Sequence, residues 1–309
     1  MRIVSLLPSA TELVAALGMA DKLVGRSHEC DWPDGFAHLP VLTAPKLNPQ
    51  AEAATIDKSV RALVEQGVSV YRLDADQIKR LAPDFVITQS QCELCAVSLA
   101  EVAAALQDWV EGTPPPQLIS LEPMRLADIF TDIAKLAKAL QVEAKGAQLI
   151  AAMQAGFAAL DNKLHAKLKN TPRPKVFFME WSAPLMGAGN WIPEIIIHGG
   201  GAPLLGHIGE HSPVVNWDDI EAANPDVIII GPCGFNIERT RFELAALEKQ
   251  PRWQSLRAVR KGAVYLVDGN FYFNRPSPRL LDSAQIIAEI LHPDLCPAAP
   301  NQMRWVQHG

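Results

Sequence analysis

The sequence predicts an α/β fold in which two similar lobes are joined by one long helix. Three observations lead to this prediction: a long apolar stripe near the middle of the chain, a segment repeated on either side of it, and strand-like runs that alternate with helix-like runs. The length of 309 residues is enough for two domains of ordinary size. The predicted bounds are 1–141 for an N-terminal α/β lobe, 142–171 for the connecting helix and 172–309 for a C-terminal α/β lobe.

The connecting helix is predicted from residues 143–169. Apolar residues recur there at steps of three and four, which places them on one face of a helix: Leu149, Met153, Phe157, Leu160, Leu164 and Leu168. Pro172 and Pro174 end the helix. At about 1.5 Å per residue it would run roughly 40 Å, which is long for a buried helix of a single domain.

The repeated segment pairs residues 76–88 with residues 218–230. Each copy reads as a short helix, a Pro-Asp turn and a buried strand, with Pro83-Asp84 in the first copy and Pro225-Asp226 in the second. An imperfect repeat on either side of one long helix favours two similar lobes. A single α/β domain with two ordinary αβ units is the alternative interpretation.

Strand-like and helix-like segments alternate in both halves, which predicts parallel βα units. Ser9 and Glu12 form a candidate capping box at the start of the first helix. The predicted strands are 2–6, 22–25, 68–71, 85–88 and 117–121 in the first half, and 175–179, 227–230 and 263–267 in the second.

Composition and charge restrict the class of protein. A hydrophobic content of 49% with 20% charged residues is typical of a folded soluble protein, and a net charge of −6 gives no reason to expect nucleic acid. No apolar run has the length of a membrane span, so we expect no membrane insertion. Pro8 closes the short apolar run after Met1, so we expect no signal peptide and a cytoplasmic location, or a periplasmic one if an export signal was removed. The odd count of five cysteines fits a reduced compartment better than a disulfide framework.

Polar and aromatic residues follow directly after the predicted strands. In parallel α/β sheets, ligands bind beyond the carboxyl ends of the strands. These positions are Leu7–Ser9, His28–Trp32 and Gln89–Cys95 in the first half, and Glu180–Trp181, Gly231–Gly234 and Phe271–Arg275 in the second. A cleft between two lobes lined in this way suits a large, flat, partly polar ligand.

Four segments carry a resemblance to a known family: Arg2–Glu12 (RIVSLLPSATE), Ala82–Ile87, Asn224–Ile229 and Arg275–Leu280. In their order and spacing they resemble the vitamin B12 and iron-complex substrate-binding proteins of ABC transporters, most closely the cobalamin-binding branch. The similarity spans nearly the whole chain. It implies two Rossmann-like lobes with parallel sheets, one long interdomain helix, a ligand held in the cleft with little lobe closure, and a non-catalytic protein that requires no cofactor.

The resemblance also implies a set of ligand contacts, namely Pro8, Glu29, Gln89, Trp181, Tyr272 and Arg275. Glu29 and Gln89 stand where aromatic residues are usual in the best-known B12 binder, whereas Trp181 keeps an aromatic ring. The positions after the strands add His28, Cys92, Cys95, Glu180 and Phe273 as further candidates. We expect Trp181, Tyr272 and Phe273 to pack on the ring of a corrinoid, and Glu29, Gln89 and Arg275 to hold its amide or carboxylate arms.

The Cys92-x-x-Cys95 pair has several interpretations. It can bind a metal, take part in redox exchange, or offer a thiolate to cobalt or iron. The alternative is two small, semi-buried residues at the start of a helix. Cys30 follows a strand of the same lobe, and His28 is the best histidine candidate because it lies in the predicted ligand loop. A metal site involving Cys92, Cys95 or His28 therefore stays open at this point.

The same family docks on its transporter through one acidic residue per lobe. Asp76 and Asp218 occupy similar positions, one in each copy of the repeat. Each precedes a short helix, where aspartate is favoured as a cap or first-turn residue, and we rank this structural role first.

The sequence therefore supports three functions. The first is a non-catalytic binder of cobalamin or a related corrinoid, with an ABC transporter permease as partner if the protein is exported. The second is a binder of an iron-siderophore or haem, which ranks lower because a carboxylate-rich siderophore requires several cations and mainly Arg26 and Arg275 are evident. The third is a cytosolic corrinoid-processing enzyme or sensor that uses Cys92 and Cys95; the chain has no nucleophile elbow or phosphate loop.

Overall fold

The computed structural model describes residues 1–65, 69–90, 97–107, 109, 114–169, 171–298 and 303–308. The chain divides into two compact units, of which the first comprises residues 1–51, 55–123 and 127–150, and the second residues 52–54, 124–126 and 151–309. Each unit contains its own sheet with a parallel core, so the predicted α/β class is confirmed.

The first unit is built on a four-stranded parallel sheet with the strand order β2-β1-β5-β6. Two further short strands, β3 and β4, pair with each other in antiparallel fashion. The strands are β1 (Ile3–Ser5), β2 (Leu23–Arg26), β3 (Thr43–Pro45), β4 (Tyr71–Leu73), β5 (Phe85–Gln89) and β6 (Gln117–Leu121). The helices that lie wholly or mostly in this unit are α1 (Pro8–Ala16), α2 (Ala53–Glu65), α3 (Ala75–Leu81), α4 (Leu99–Ala105) and α5 (Leu126–Ala139).

The second unit is built on a sheet with the order β12-β11-β10-β7-β8, in which β9 also pairs with β7. Its strands are β7 (Lys175–Ser182), β8 (Leu185–Gly187), β9 (Ala202–Leu204), β10 (Val227–Ile230), β11 (Val264–Val267) and β12 (Trp305–His308). Its helices, after α6 (Glu143–Leu168), are α7 (Ile192–His198), α8 (Trp217–Ala223), α9 (Ile237–Leu247), α10 (Pro251–Ser255), α11 (Arg257–Arg260) and α12 (Leu280–Leu291), with a π-helical turn at Gly269–Phe273. Phe177 and Trp253 are among the side chains buried in the core of this unit.

The internal repeat predicted from the sequence is a repeat of structure. The parallel order β9-β7-β10-β11 of the second unit matches the order β2-β1-β5-β6 of the first. The Asp84 carboxylate accepts a hydrogen bond from the backbone N–H of Arg2 at 2.7 Å, and Asp226 accepts the equivalent bond from Lys175 at 2.9 Å. The Pro-Asp turn therefore recurs because its aspartate holds the start of the neighbouring central strand in each unit.

The long helix α6 covers Glu143–Leu168, in agreement with the prediction from its apolar stripe. Met153, Phe157, Leu160 and Leu164 are buried. The division between the two units falls within this helix, after residue 150. None of the helices in the described ranges has the length and apolarity that crossing a bilayer requires.

Two local predictions are wrong. Leu7, not Ser9, is the N-cap of α1, and Pro8 is its first residue. Proline begins helices readily because its φ is already helical and its missing N–H would have no partner there. As a result Ser9 and Glu12 lie inside the helix and form no capping box. The strand predicted at 68–71 is also displaced, since β4 spans Tyr71–Leu73.

Candidate functional site

In the first unit, polar residues gather at the carboxyl ends of the parallel strands. We call this set the first-unit edge, and it consists of Pro8 after β1, Ser27–Glu29 after β2, Gln89–Ser90 after β5 and Glu122 after β6. The carboxyl ends of parallel strands share one edge of a sheet, so these loops are neighbours. The structure thus brings together the described members of the predicted set from this half of the chain.

Arg26 shapes the loop that carries His28 and Glu29. Its Nε donates to the carbonyl oxygen of Phe36 at 3.0 Å, and its Nη1 donates to the carbonyls of Ser27 at 3.2 Å and Cys30 at 3.1 Å. The guanidinium therefore ties both ends of the loop to the last residue of β2. The Nε and Nη1 donors of Arg26 therefore bind the protein's own backbone.

His28 is held from one side of its ring. Its backbone N–H donates to Thr43 Oγ1 at 3.1 Å, and its ring Nδ1 lies 2.7 Å from the same hydroxyl oxygen. The ring also lies against Tyr71, with the centroids 5.6 Å apart. Burial lowers the pKa of His28, and the nearby Arg26 charge lowers it further. The imidazole is consequently neutral at neutral pH.

Gln89 and Ser90 end β5 in a second polar cluster of the first-unit edge. The Gln89 side chain is buried, at 7% exposure. Ser90 Oγ lies 2.7 Å from Ser120 Oγ and also donates a hydrogen bond to the Glu122 carboxylate. These hydrogen bonds lower the pKa of Glu122. Asp132 on α5 accepts the backbone N–H of Glu122 at 3.1 Å, so a buried carboxylate supports this loop from below.

In the second unit, aromatic residues lie near the carboxyl end of β7 and in the segments that follow β10 and β11. We call the partly exposed set Glu180–Trp181, Cys233–Gly234 and Phe271–Tyr272 the second-unit surface, and the buried Phe235 supports it. The Trp181 and Phe235 rings lie 5.2 Å apart at an angle of 46°, and Trp181 Nε1 donates to the carbonyl of Ala183 at 3.0 Å. The half-buried indole is fixed at its polar atom, which leaves an apolar ring of defined orientation.

Phe271 and Tyr272 form the second aromatic pair of this surface. Their rings meet edge to face with centroids 4.9 Å apart, and the Arg279 guanidinium lies 3.6 Å from the Phe271 centroid. This distance is that of a cation–π contact, which fixes the orientation of the Phe271 ring. Burial raises the pKa of the Tyr272 phenol, so its hydroxyl stays protonated at neutral pH.

Glu180 is engaged within the second unit. Its carboxylate accepts a hydrogen bond from Ser212 Oγ at 2.6 Å, and Ser212 Oγ accepts the backbone N–H of Gly189 at 3.1 Å. Burial raises the pKa of Glu180, against the effect of these hydrogen bonds. The side chain therefore joins the loops near residues 189 and 212 to the end of β7, and its predicted ligand contact stays a prediction.

Two predicted contact residues have no surface to offer. Phe273 is fully buried, its ring packs 5.0 Å from that of Phe178, and its carbonyl accepts from Trp191 Nε1 at 2.9 Å. Arg275 is 4% exposed and donates to Asn270 Oδ1 at 3.0 Å. In this structure, Phe273 belongs to the core and Arg275 braces the loop after β11. Both residues follow a strand in sequence, but Phe273 is a buried residue of the π-helical turn and Arg275 is buried two residues beyond it.

Cys92 and Cys95 lie outside the described residues. Cys30 is buried and its Sγ accepts from Thr11 Oγ1 at 3.0 Å, while Cys233 is half-buried in the second-unit surface. Among the described residues, no group of three or more His, Cys, Asp or Glu side chains is arranged to hold a metal ion.

A family model described as "periplasmic binding protein" matches residues 3–270 of this chain. The match covers most of the sequence and both sheets. The chain belongs to the periplasmic binding protein family. Members of this family are substrate-binding proteins of ABC transporters, so the recognition made from sequence motifs is confirmed, as is the class III α/β fold.

Relatives of this substrate-binding protein span nearly its whole length. An uncharacterized ABC transporter substrate-binding lipoprotein, YvrC, from Bacillus subtilis is 24% identical over 301 residues, which are 95% of this chain and 80% of the relative. A vitamin B12-binding protein from Vibrio parahaemolyticus is 23% identical over 301 residues, which are 93% of this chain and 88% of the relative.

Solved structures confirm the fold. A periplasmic haem-binding protein from Pseudomonas aeruginosa matches with a TM-score of 0.73 at 19% identity, covering 100% of this chain and 98% of that one. The periplasmic vitamin B12-binding protein BtuF of Vibrio cholerae matches with a TM-score of 0.61 at 21% identity, covering 94% and 96%. The fold is thus shared by proteins described with two different ligands.

Asp76 and Asp218 occupy equivalent positions in this substrate-binding protein. Each is an exposed residue of the first turn of its helix, whereas the N-caps are Asp74 in α3 and Asn216 in α8. Asp218 also forms an ion pair with Arg252, at 2.5 Å. The expected first-turn location is confirmed, and docking on a transporter stays a prediction for both residues.

Sequence reasoning missed several residues that pack against these surfaces or hydrogen-bond to their residues. Phe235 directly follows the Gly231–Gly234 segment, and extending the rule for strand ends by one residue would have found it. Thr43, the partner of His28, had no such signal, because fifteen residues separate the two and no spacing rule links them. Arg239, which lies over the Phe235 ring at 4.9 Å, is likewise brought there only by the packing of α9.

We expect Gly269→Ala to lower the free energy of unfolding by about 2–3 kcal/mol and to weaken ligand binding. A Cβ at this position would lie 2.3 Å from the Pro232 carbonyl oxygen and 2.7 Å from that of Gly231, both backbone atoms, so the loops after β10 and β11 must separate. Urea unfolding and ligand titration measure the two effects. Gly262→Asn is the control, since nothing lies within 4 Å of a Cβ there and Asn tolerates its positive φ. Equal loss of stability in both variants would contradict the prediction.

Proposed function

We propose that this substrate-binding protein is a non-catalytic binder of cobalamin or a related corrinoid. The observation that carries the proposal is that the arginines at or near the first-unit edge and the second-unit surface bind groups of the protein itself. Arg26 binds backbone carbonyls, Arg275 binds Asn270, and Arg239 binds the Glu243 carboxylate at 2.8 Å. These cations already have partners within the protein.

The charge of the ligand decides between the candidates. The peripheral arms of a corrinoid end mainly in neutral amides, whereas haem carries two propionates and many siderophores carry several carboxylates or other anionic groups. A buried carboxylate requires a cation or several hydrogen-bond donors. Amide arms require neutral donors and acceptors of the kind that Ser90 and Tyr272 provide. The surface chemistry therefore favours a ligand with amide arms.

The aromatic residues provide the apolar part of recognition. Trp181, held against the buried Phe235 ring, offers one fixed aromatic face, and Phe271 and Tyr272 offer a second. Flat apolar faces of this kind match the faces and edges of a large ring system. The name of the Vibrio parahaemolyticus relative, a vitamin B12-binding protein, agrees with this assignment.

A visible absorption titration tests the proposal. Purified protein is titrated separately with cyanocobalamin, hydroxocobalamin, haem and a ferric siderophore, and the melting temperature is measured with each. We expect saturable binding and thermal stabilisation with both cobalamins. Binding of haem or the ferric chelate without any binding of cobalamin would overturn the proposal in favour of the second function. Turnover of a bound corrinoid that is lost in Cys92→Ala/Cys95→Ala would establish the enzyme.

We expect Trp181→Ala to weaken cobalamin binding about 5- to 30-fold, which corresponds to about 1–2 kcal/mol. The substitution removes the apolar face while the Phe235 ring remains. Trp181→Phe is the matched control, because it keeps an aromatic face and loses only the hydrogen bond to Ala183, and its affinity is expected to stay within about threefold of the native value. Equal affinity of Trp181→Ala and the native protein, measured by calorimetric titration, would remove Trp181 from the ligand surface.

A transporter permease is the expected macromolecular partner of a protein of this family. The exposed first-turn residues Asp76 and Asp218 are the proposed docking residues, one in each unit. Asp218 would have to give up its ion pair with Arg252 in order to bind a cation of the permease.

A further inference from the structure

The hydrogen bonds around His28 determine which ring nitrogen carries the proton. Thr43 Oγ1 donates its single hydrogen to Ser27 Oγ at 3.1 Å. The same oxygen lies 2.7 Å from His28 Nδ1, so in this pair the nitrogen must be the donor. The proton of the neutral imidazole is therefore on Nδ1. Nε2 carries the lone pair.

Nε2 is left available by its surroundings. The Glu29 Oε1 atom lies 3.9 Å away, which is beyond hydrogen-bond distance. No hydrogen bond to Nε2 is present among the described residues. The His28 side chain is 24% exposed, and its other face packs against Tyr71. The low pKa that burial produces keeps the lone pair unprotonated at neutral pH.

This arrangement is the one that metal-binding histidines adopt. Such residues almost always donate their second ring N–H to a protein acceptor, which fixes the tautomer and the ring orientation. Thr43 is that acceptor here, and Ser27 in turn orients the Thr43 hydroxyl while also accepting the backbone N–H of Glu29 at 3.2 Å. A histidine with a purely packing role in the loop would not need both Thr43 as acceptor and Ser27 to orient the Thr43 hydroxyl.

We propose that His28 Nε2 is an axial ligand to the metal ion at the centre of the bound tetrapyrrole and that Thr43 is its positioning residue. The inference rests on the proposed function. In a corrinoid whose upper ligand is water, the cobalt–oxygen bond breaks, a cobalt–nitrogen bond forms and one water molecule leaves. The oxidation state of cobalt does not change, and no proton moves because the imidazole is neutral.

The test compares two cobalamins that differ in their upper ligand. The aqua form, prepared from hydroxocobalamin at slightly acidic pH, has an exchangeable water, whereas cyanide occupies this position firmly in cyanocobalamin. We expect a shift of the visible bands when the native protein binds the aqua form, and no such shift with cyanocobalamin. His28→Ala is expected to abolish the shift, and added imidazole is expected to restore it.

Two further variants separate the metal ligand from its support. Thr43→Val keeps the imidazole but removes the acceptor of Nδ1–H, and we expect about a 10- to 100-fold weaker affinity for the aqua form with a partial band shift. His38→Ala is the matched control, because His38 is an exposed histidine of the same loop region whose Nδ1 bonds the carbonyl of Gly35 at 2.7 Å. It is expected to leave both affinity and bands unchanged.

The outcomes distinguish this inference from the proposed function. Binding of both cobalamins without a band shift for the aqua form, or with a shift that persists in His28→Ala, would overturn the role of His28 and leave the corrinoid binder intact. A shift lost in Cys92→Ala/Cys95→Ala but kept in His28→Ala would assign the metal to the cysteines instead. A His28-dependent change of the haem spectrum without cobalamin binding would support His28 as the ligand and overturn the corrinoid assignment. Binding of neither tetrapyrrole would overturn both.

Discussion

Arg304→Met is expected to lower the free energy of unfolding by about 3–5 kcal/mol. Arg304 and Glu289 form an ion pair in which both residues are buried, at 7% and 6% exposure. Removing the guanidinium leaves the Glu289 carboxylate buried in the core without a cation to pair with. Trp305 Nε1 still donates a hydrogen bond to this carboxylate at 3.0 Å. Arg304 also precedes β12, which pairs with β11 at the edge of the second sheet. Urea unfolding followed by tryptophan fluorescence measures the loss.

The double variant Arg304→Met/Glu289→Gln separates the buried charge from the packing. The amide introduced by Glu289→Gln is neutral and can still accept from Trp305, so we expect the double variant to recover at least half of the stability lost in Arg304→Met. Hydrogen exchange at residues 264–267 reports whether β12 still covers β11. A double variant no more stable than Arg304→Met would show that the loss comes from packing and not from an unpaired charge.

Asp132→Asn is expected to stabilise the first unit at pH 8 by up to about 3 kcal/mol. Burial raises the pKa of Asp132 to about 6, from an ordinary value of 3.8. The native state therefore binds this proton more tightly than the unfolded state does. Ionisation destabilises the fold, with an effect that is absent below about pH 4, grows between pH 4 and 6 and is complete above that range. Asparagine keeps an acceptor for the Glu122 N–H without the charge.

Unfolding free energies at pH 4, 6 and 8 test this pH dependence. We expect the advantage of Asp132→Asn over the native protein to disappear at pH 4, where the native carboxyl is protonated. Asp76→Asn is the control, since Asp76 is exposed and its replacement is expected to change stability by less than about 0.5 kcal/mol at each pH. An advantage of the same size at all three pH values would contradict the electrostatic explanation.

Asp132 and Glu289 are buried carboxylates, one in each unit. Asp132 supports Glu122 at the first-unit edge through its backbone N–H. Glu289 lies on α12, the helix that follows the loop after β11. Stability and ligand binding are therefore expected to be linked in both units.

The fold class and the repeat were predictable from the sequence because they depend on local periodicity. Helix α6 required only apolar residues at steps of three and four, and the Pro-Asp turns marked the same strand entry twice. The strands β3, β8, β9 and β12 were not predicted. Each is three or four residues long, and it is recognisable as a strand only through its pairing with a neighbour that is distant in sequence or joined by a turn.

For the candidate site, the sequence predicted which strand ends carry candidate ligand residues, because ligands of parallel α/β sheets bind at strand ends. Tertiary structure decided which side chains face outward. Phe273 and Arg275 were expected at the ligand, but both are buried, and Phe235 is buried against Trp181, whose own ring stays partly exposed. The tautomer of His28 was decided by Thr43 on another strand. Such contacts join residues far apart in sequence, and no local pattern records them.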